Sequence, residues 1–409
     1  MNNMNKFKNL GVIDDIIKSL KDHRIDEPTE IQIKAIPIVV AGHDLIAGSA
    51  TGSGKTLAFA AAIIKTCERK QGLQALVLTP TRELAVQVSK ALHDFSKYKQ
   101  LKVTDVYGGV SFESQVKRIQ VADVVVATPG RLLDHVEKRT INLSDIKVLV
   151  IDEADRMFDM GFIKDIRRII DKCPTKRQTL LFSATITDEV SYLSKKYMHN
   201  PQRVSAEEFV DPKKLKQVYY DTTDNMKISL LVHLLKKDHS GTIMVFCNTK
   251  SAVNFVARNL KNQGIMAQAI HGGFTQAKRS TSLENFQSQK VKILVCTDVA
   301  ARGLDIKGVS HVYNYNIPKE TKQYVHRIGR TARAGKNGIA VNLLVKAEHF
   351  DFGRILKFYK VDIEKMETPE IDVIKLDHVE RRSRSASNHF TRTFPRGRGG
   401  SRNMRSRRR

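Results

Sequence analysis

Short apolar runs recur along the chain, and each is followed by a segment whose apolar residues have helical spacing. Examples are "HDLIA" at 43–47, "QALVL" at 74–78 and "VLVI" at 148–151. Such short runs, rich in Val, Ile and Leu, are typical of strands buried on both faces of a parallel sheet. The pattern predicts an α/β fold with helices on both faces of the sheet.

The chain also contains an internal repeat. The stretch 74–92 shares its plan with the stretch 242–260: an apolar run, a short loop that contains threonine, and a helical segment. Further along, 103–109 parallels 266–273, and 123–131 parallels 292–303. We interpret the chain as two α/β domains in tandem. The predicted boundaries are 1–206 for the first domain, 207–216 for a short linker, 217–365 for the second domain and 366–409 for a tail.

Length and composition agree with two domains. The chain has 409 residues, of which 41% are hydrophobic, whereas single cores usually stop growing near 250 to 300 residues. No apolar run approaches the roughly 18 residues of a membrane span, and the first ten residues lack the apolar core of a signal peptide. The four cysteines lie far apart. A disulfide framework or zinc site is therefore not expected, and free thiols favour a cytoplasmic protein.

The charge indicates a polyanionic partner. The formal net charge is +26, and residues 381–409 contain eleven arginines but no lysine, aspartate or glutamate. With "RRSRSAS" and "PRGRGGSR" and few aliphatic residues, this basic C-terminal arm is expected to be largely disordered. It could simply aid solubility. We favour single-strand nucleic-acid binding, because Phe390 and Phe394 lie among the arginines.

The segment "AGSATGSGKT" at 47–56 follows a predicted strand and resembles a phosphate-binding loop. Gly52 and Gly54 let the backbone turn its N–H groups toward phosphate at a helix N-terminus. Lys55, expected to be exposed, would reach the β- and γ-phosphates, and Thr56 would hold Mg²⁺. The strict pattern has glycine where this chain has Ser49, and a structural glycine turn is the alternative. The nucleotide-binding candidates in this loop are Ser49, Ala50, Thr51, Gly52, Ser53, Gly54, Lys55 and Thr56.

Two adjacent carboxylates follow the apolar run at 148–151. A nucleotide-bound Mg²⁺ needs a carboxylate at a neighbouring strand end, and Asp152 is placed to supply it. Glu153 can then orient or deprotonate the attacking water. The alternative is that the pair only caps the following helix.

These segments together resemble the DEAD-box RNA helicase family. The resemblance runs from about Phe7 to about residue 360 and consists of seven motifs in the family order: "TGSGKT", "PTRELA", "TPGR", "DEAD", "SAT", "TDVAARGLDI" and "HRIGRTARAG". It implies two RecA-like domains, ATP with Mg²⁺, and RNA as the nucleic acid.

For the nucleotide, the resemblance assigns adenine recognition to Gln32, whose amide can pair with adenine N6 and N7. Phe7 matches an aromatic that stacks near the base, whereas Ile25 stands where the family often has an aromatic. In the second domain, Gly303 and Asp305 match residues that meet the ribose and phosphates.

The resemblance also implies that closure of the two domains gates hydrolysis. Arg330 and Arg333 match the arginine fingers, which are worth roughly 10³ to 10⁵ in rate, and His326 and Arg327 open the same motif. Ala332 replaces a residue that is usually glycine, a departure that we expect to be harmless. The predicted coupling between ATP and RNA involves Asp155, Ser183, Thr185 and His326.

The RNA-binding candidates are short hydroxyls, glycines and arginines, which hold phosphates and sugars without reading bases. Sequence-independent binding follows. The candidates are Pro80, Thr81, Arg82, Gly109, Thr128, Gly130, Arg131, Thr249, Gln276, Arg279 and Thr297.

The sequence thus predicts an ATP-dependent RNA helicase that unwinds short duplexes or remodels ribonucleoprotein, acting as a monomer. The alternatives are an ATP-gated RNA clamp or assembly factor whose unwinding is incidental, and a DNA translocase. The absence of an appended DNA-specific domain counts mildly against the translocase.

Overall fold

The computed structural model describes residues 4–48, 53–205, 215–237, 241–301, 306, 308–332, 337–359 and 363–375. It contains two seven-stranded parallel sheets, one in each half of the chain. The strands of the first are β1 (Leu45–Gly48), β2 (Ala75–Leu78), β3 (Val103–Val106), β4 (Val124–Ala127), β5 (Val148–Ile151), β6 (Gln178–Ser183) and β7 (Gln202–Ser205). Those of the second are β8 (Leu215–Asp221), β9 (Thr242–Phe246), β10 (Ala267–Ile270), β11 (Ile293–Cys296), β12 (Val309–Asn314), β13 (Gly338–Leu344) and β14 (Glu364–Met366).

Helices connect the strands. Those of the first half are α1 (Met4–Asn9), α2 (Asp14–Asp22), α3 (Glu30–Val40), α4 (Lys55–Thr66), α5 (Arg82–Phe95), α6 (Phe112–Ile119), α7 (Pro129–Glu137), α8 (Ala154–Asp159), α9 (Ile163–Ile170) and α10 (Asp188–Tyr197). Those of the second half are α11 (Lys227–Lys237), α12 (Lys250–Asn262), α13 (Gln276–Gln287), α14 (Asp298–Ala301), α15 (Thr321–Ile328) and α16 (His349–Tyr359), with a 3₁₀ turn at Lys346–Glu348 before α16. Among the helices that the structure describes, none is long and apolar enough to cross a lipid bilayer.

The two sheets have the same topology, which confirms the predicted repeat. The first has the order β3-β4-β2-β5-β6-β1-β7, and the second has the corresponding order β10-β11-β9-β12-β13-β8-β14. The repeated stretches fall on β2 and β9, β3 and β10, and β4 and β11. The parallel α/β fold class is therefore confirmed.

The apolar runs are buried on both faces because successive side chains of a strand point to opposite sides. In β4, Val124 and Val126 belong to the core on one face of the sheet, and Val125 and Ala127 belong to the core on the other. This arrangement leaves the carboxyl ends of the strands as the polar edge, where ligands of such folds bind.

The predicted domain limits differ from the described elements by a few residues. Strand β8 begins at Leu215, within the predicted linker, and the rest of that linker, 207–214, lies outside the described residues. Beyond the predicted end at 365, Met366 belongs to β14, and Ile371 and Ile374 pack against the second domain. The tail from 376 onward lies outside the described residues.

Candidate active site

The N-terminus of α3 is bound to the start of α4. Thr29 Oγ1 donates to the carbonyl of Ser53 at 2.7 Å, and Gln32 Nε2 donates to the carbonyl of Gly54 at 2.9 Å. Gly54 has φ = 91°, and a Cβ there would lie 2.5 Å from Gln32 Nε2, so glycine is required for two reasons. Gln32 therefore lies against the phosphate-loop segment, and its Oε1 accepts from the backbone N–H of Thr29. Its role in adenine recognition stays a prediction.

Lys55 and Asp152 form a buried ion pair. Their Nζ and Oδ1 atoms are 2.8 Å apart, and the two residues are 5% and 0% exposed. The expectation of an exposed lysine was wrong, because Lys55 opens α4 beneath the ends of β1 and β5 and faces the carboxylate. Burial opposes the charge of Lys55, but Asp152 and Glu153 outweigh it and raise its pKa. Burial, and then the neighbouring Glu153, raise the pKa of Asp152, while Lys55 opposes that shift.

Glu153 adopts an unusual backbone conformation. It has φ = 54° and ψ = 52°, in the left-handed region, immediately before α8. Its Oε1 lies 3.9 Å from Lys55 Nζ, and its Oε2 accepts a hydrogen bond from Arg156 Nη1 at 2.7 Å. Non-glycine residues in this region are uncommon and concentrate at functional sites. Thr56 lies in the first turn of α4, next to Lys55.

The three coupling residues of the first domain are brought together. Asp155 Oδ2 accepts hydrogen bonds from the backbone N–H of Thr185 at 2.9 Å and from its Oγ1 at 3.0 Å. The backbone N–H of Asp155 donates to Ser183 Oγ, which in turn donates to the carbonyl of Thr185. The loop after β6 is thus tied directly to the carboxylate cluster after β5.

The structure does not support a base-stacking role for Phe7. Its side chain is 0% exposed and belongs to the core of the first domain, so no face of the ring remains for a nucleotide base. Ile25 is partly buried and packs against the same core. Seven predicted site residues lie outside the described residues: Ser49, Ala50, Thr51, Gly52, Gly303, Asp305 and Arg333.

Arg327 lies at the centre of a buried polar network. From the sequence, Arg327 was identified only as part of the motif that His326 opens, and nothing there indicated the network. The side chain is 1% exposed and binds both carboxylate oxygens of Asp298 at 2.6 Å. It also donates to Asn248, Asn314 and the carbonyl of Asn316. These partners follow or end β9, β11 and β12, so Arg327 fixes α15 to three neighbouring strand ends.

Arg330, a predicted arginine finger, lies two residues after the end of α15 and is 4% exposed, and His326 lies in the last turn of that helix. Next to them, Ala332 has φ = 54° and is 8% exposed. An L-residue in this region costs roughly 1–2 kcal/mol, which glycine avoids. The replacement of the family's usual glycine therefore strains the backbone, contrary to the expectation that it is harmless.

In the first domain, the RNA-binding candidates converge on the ends of the adjacent strands β2, β4 and β3. Thr81 caps α5, and Arg82 packs over Gly109, where a Cβ would lie 2.3 Å from its Nη1. At Gly108 a Cβ would lie 3.3 Å from Nη2 of Arg82 and 4.0 Å from Nη2 of Arg131. Pro80 is buried beside them, while Thr128 and Gly130 lie at the start of α7. Two arginines thus flank a glycine loop, an arrangement suited to phosphate.

In the second domain, two of the four candidates are engaged across the domain boundary. Arg279 Nη2 lies 2.9 Å from Oε1 of Glu83, and Gln276 Nε2 donates to the same oxygen at 3.2 Å. Sequence reasoning missed Glu83, because no spacing rule links a residue in α5 to one in α13. Thr249 caps α12 at an exposed position, and Thr297 is buried after β11.

Helices α10 and α15 belong to different domains, and their charges interact. Backbone and side-chain hydrogen bonds lower the pKa of Glu189 in α10, and Lys322 of α15 contributes to the same shift. Helix α10 follows the Ser183–Thr185 loop, and α15 leads to Arg330.

Comparison with known proteins agrees with this geometry. The family model described as "DEAD/DEAH box helicase" matches residues 29–193, and the one described as "Helicase conserved C-terminal domain" matches residues 226–335. The chain belongs to the DEAD-box helicase family. Its two sheets are accordingly RecA-like domains in tandem.

Individual members of the DEAD-box family show the same extent of similarity. An ATP-dependent RNA helicase CshA of Listeria monocytogenes is 44% identical over 349 residues, which cover 84% of this chain and 67% of that protein. A CshA of Geobacillus kaustophilus is 40% identical and covers 90% and 80%. The solved structure of S. cerevisiae Dbp5 bound to RNA and ADP BeF3 is 29% identical, with a TM-score of 0.81 over 88% of this chain and 95% of that one. Both domains of this DEAD-box chain therefore superpose together on a single solved structure, which contains RNA and ADP BeF3.

Proposed function

We propose that this protein is an RNA helicase that hydrolyses ATP when its two domains close on single-stranded RNA, and that it separates short duplexes by local distortion. The observation that carries the proposal is the buried cluster of Lys55, Asp152 and Glu153, which follows the phosphate-loop segment and β5. The similarity of both domains to Dbp5 bound to RNA and ADP BeF3 supports it.

The charges of the cluster suit a magnesium nucleotide. Three carboxylates, Asp152, Glu153 and Asp155, are buried with two cations, Lys55 and Arg156, so a further cation would relieve their repulsion. Among the described residues no group of three or more acidic, histidine or cysteine side chains forms a ready metal cage. Mg²⁺ is usually held by one or two protein groups together with substrate phosphates. We assign Thr56 and Asp152 to it, and its charge would stabilise the phosphates in the transition state.

The chain's own residues then account for hydrolysis. Glu153 accepts a proton from water while the water oxygen bonds to the γ-phosphorus. The bond from that phosphorus to the bridging oxygen breaks, and the electron pair leaves with ADP. Lys55 and the fingers Arg330 and Arg333 stabilise the charge that develops on the phosphoryl oxygens.

RNA binding is proposed to be independent of sequence. Arg82 and Arg131 beside the glycine loop would hold phosphates, and Thr249 and Thr297 would continue the path on the second domain. The contact of Glu83 with Gln276 and Arg279 would align the two halves of that path, so we assign these two side chains to alignment as well as to RNA. The arginine-rich tail would add sequence-independent contacts.

We further propose that the protein acts in the cytoplasm as a monomer and meets ribonucleoprotein partners through RNA. Three of its four cysteines are buried and all four are free, which suits a reducing compartment. An ATP-gated clamp without productive unwinding is not favoured, because the relatives are named as helicases and the residues for turnover are present.

The decisive experiment compares multiple-turnover separation of a short RNA duplex with the dwell time of a single strand, both with ATP. We expect ATP-dependent separation that Glu153→Gln abolishes. Long dwell times without turnover would instead identify a clamp. Equal separation of a DNA duplex of the same sequence would contradict the assignment of RNA.

A further inference from the structure

Arg156 is bound to the carboxylate that we assign as the general base. It is the third residue of α8 and is 7% exposed, and its Nη1 lies 2.7 Å from Oε2 of Glu153, which is 6% exposed. Both charges are thus removed from water. Replacing a buried ion pair by apolar residues is often neutral or stabilising, so folding stability alone does not explain this pair.

The two oxygens of Glu153 have different surroundings. Oε2 faces Arg156, whereas Oε1 is turned toward Lys55, 3.9 Å from its Nζ and therefore toward the phosphate site. The left-handed backbone at Glu153 is intrinsically unfavourable and needs support from its surroundings. The hydrogen bond from Arg156 to Glu153 supplies such support, because Arg156 lies three residues later and is held within α8.

We propose that Arg156 is a positioning residue for Glu153 in this chain. Its guanidinium fixes one carboxylate oxygen so that the other is aimed at the attacking water before the water arrives. This inference rests on the proposed function, which assigns the base role to Glu153.

The test uses the full chain with Arg156→Met, which keeps the approximate length but removes the charge and the donors, and Arg156→Lys, which restores a charge. RNA-stimulated ATP hydrolysis is measured as kcat and KM at neutral pH. For Arg156→Met we expect kcat to fall by roughly 10- to 100-fold, part of the 10² to 10⁴ that general-base catalysis can supply. KM for ATP should change little, because a positioning residue acts on the chemical step. Arg156→Lys should recover part of the lost kcat.

The matched control is Arg168→Met. Arg168 also pairs with a glutamate, at 2.6 Å from Glu137, but both side chains are more than half exposed. We expect the wild-type kcat from this variant. A fall in kcat equal to that of Arg156→Met would overturn the proposal, since loss of any arginine–glutamate pair would then explain it.

A double-mutant cycle separates this inference from the proposed function. In a Glu153→Gln background, Arg156→Met should cause no further loss of kcat, because Arg156 acts through the carboxylate. If Glu153→Gln alone kept wild-type kcat, the base assignment itself would fail. If Glu153→Gln were inactive while Arg156→Lys and Arg156→Met kept the wild-type kcat, the proposed function would stand and the positioning role would be rejected. Should Arg156→Met fail to fold, Arg156→Lys with the wild-type kcat would still reject it, because a lysine does not reproduce the geometry of the guanidinium hydrogen bond.

Discussion

Replacing Lys55 by methionine removes the partner of a fully buried carboxylate. Asp152 has 0% exposure and directly follows β5, so its charge would remain buried without the cation 2.8 Å away. Breaking a buried pair in this way typically costs about 3 to 5 kcal/mol, a large part of the 5 to 15 kcal/mol that stabilises most domains. We therefore expect Lys55→Met both to abolish ATP hydrolysis and to destabilise the first domain.

The loss should depend on pH. Burial already raises the pKa of Asp152, and removing Lys55 removes the charge that opposes this shift. A carboxyl whose folded pKa lies above its unfolded value of about 3.9 contributes stability that is fully present below that value. This contribution is lost as the pH rises through the folded pKa. Lys55→Met should therefore be destabilising at neutral pH and less so in acid.

The chain has no tryptophan, so unfolding by urea is followed by circular dichroism, with hydrogen exchange of the β5 amides to locate the change in the first domain. Lys34→Met is the control, because Lys34 lies 2.6 Å from Glu30 in a pair about half exposed, and such pairs contribute about 0 to 1 kcal/mol. The combination of Lys55→Met with Asp152→Asn should cost less than the sum of the two. If Lys55→Met changed the stability at neutral pH no more than Lys34→Met, the argument from burial would be wrong.

Three further outcomes follow from the site and the tail. Deleting the residues after 380 should lower the log–log salt slope of single-strand RNA binding by roughly 3.5, if about five arginines meet phosphates at about 0.7 each, while RNA-saturated ATPase barely changes. An unchanged slope would exclude those contacts. With ATP, RNA should leave Glu153→Gln more slowly and Asp152→Asn faster than wild type, since the first blocks proton transfer after closure and the second weakens nucleotide binding. Equal RNA off-rates of Glu153→Gln with ATP and ADP would contradict this. Ala332→Gly should stabilise the protein by up to about 1 kcal/mol by relieving left-handed strain, whereas Ala257→Gly within α12 should cost about 1 kcal/mol. Urea unfolding compares the two, and an equal loss at both positions would refute the strain.

The sheets were predictable because their strands are buried on both faces. A run such as Val124 to Ala127 has no polar residue to place on a solvent face, and this pattern distinguishes a central parallel strand from an edge strand. The internal repeat then indicated which strands of the two sheets correspond. The polar loops that follow those strands indicated the candidate site. Asp155, Ser183 and Thr185 meet because the ends of neighbouring parallel strands share one edge of the sheet.

Other features depend on contacts that no local pattern specifies. The burial of Lys55 follows from the packing of α4 beneath β5, and Phe7 is buried because α1 folds onto the same core. The φ of Ala332 is set by the turn between α15 and β13, and its residue type gives no sign of it. Glu83 meets Arg279 across nearly two hundred residues, so that contact depends on the arrangement of the domains.

The position of β14 determines where the arginine-rich segment begins. Met366 pairs with Tyr220 at the carboxyl end of β8. Further along, the backbone N–H of Ile374 donates a hydrogen bond to Ser229 Oγ of α11. The carboxyl end of β14 therefore lies at the same edge of the sheet as Thr297, about 24 Å away across five strand spacings. The 34 residues from 376 to 409 can span at most about 110 Å, so an RNA strand at Thr297 would be within their reach. Under the proposed function, such a tether would give the arginines a high effective concentration at RNA that is already bound, whatever the protein's own concentration, and would lengthen the residence time without any preference for sequence.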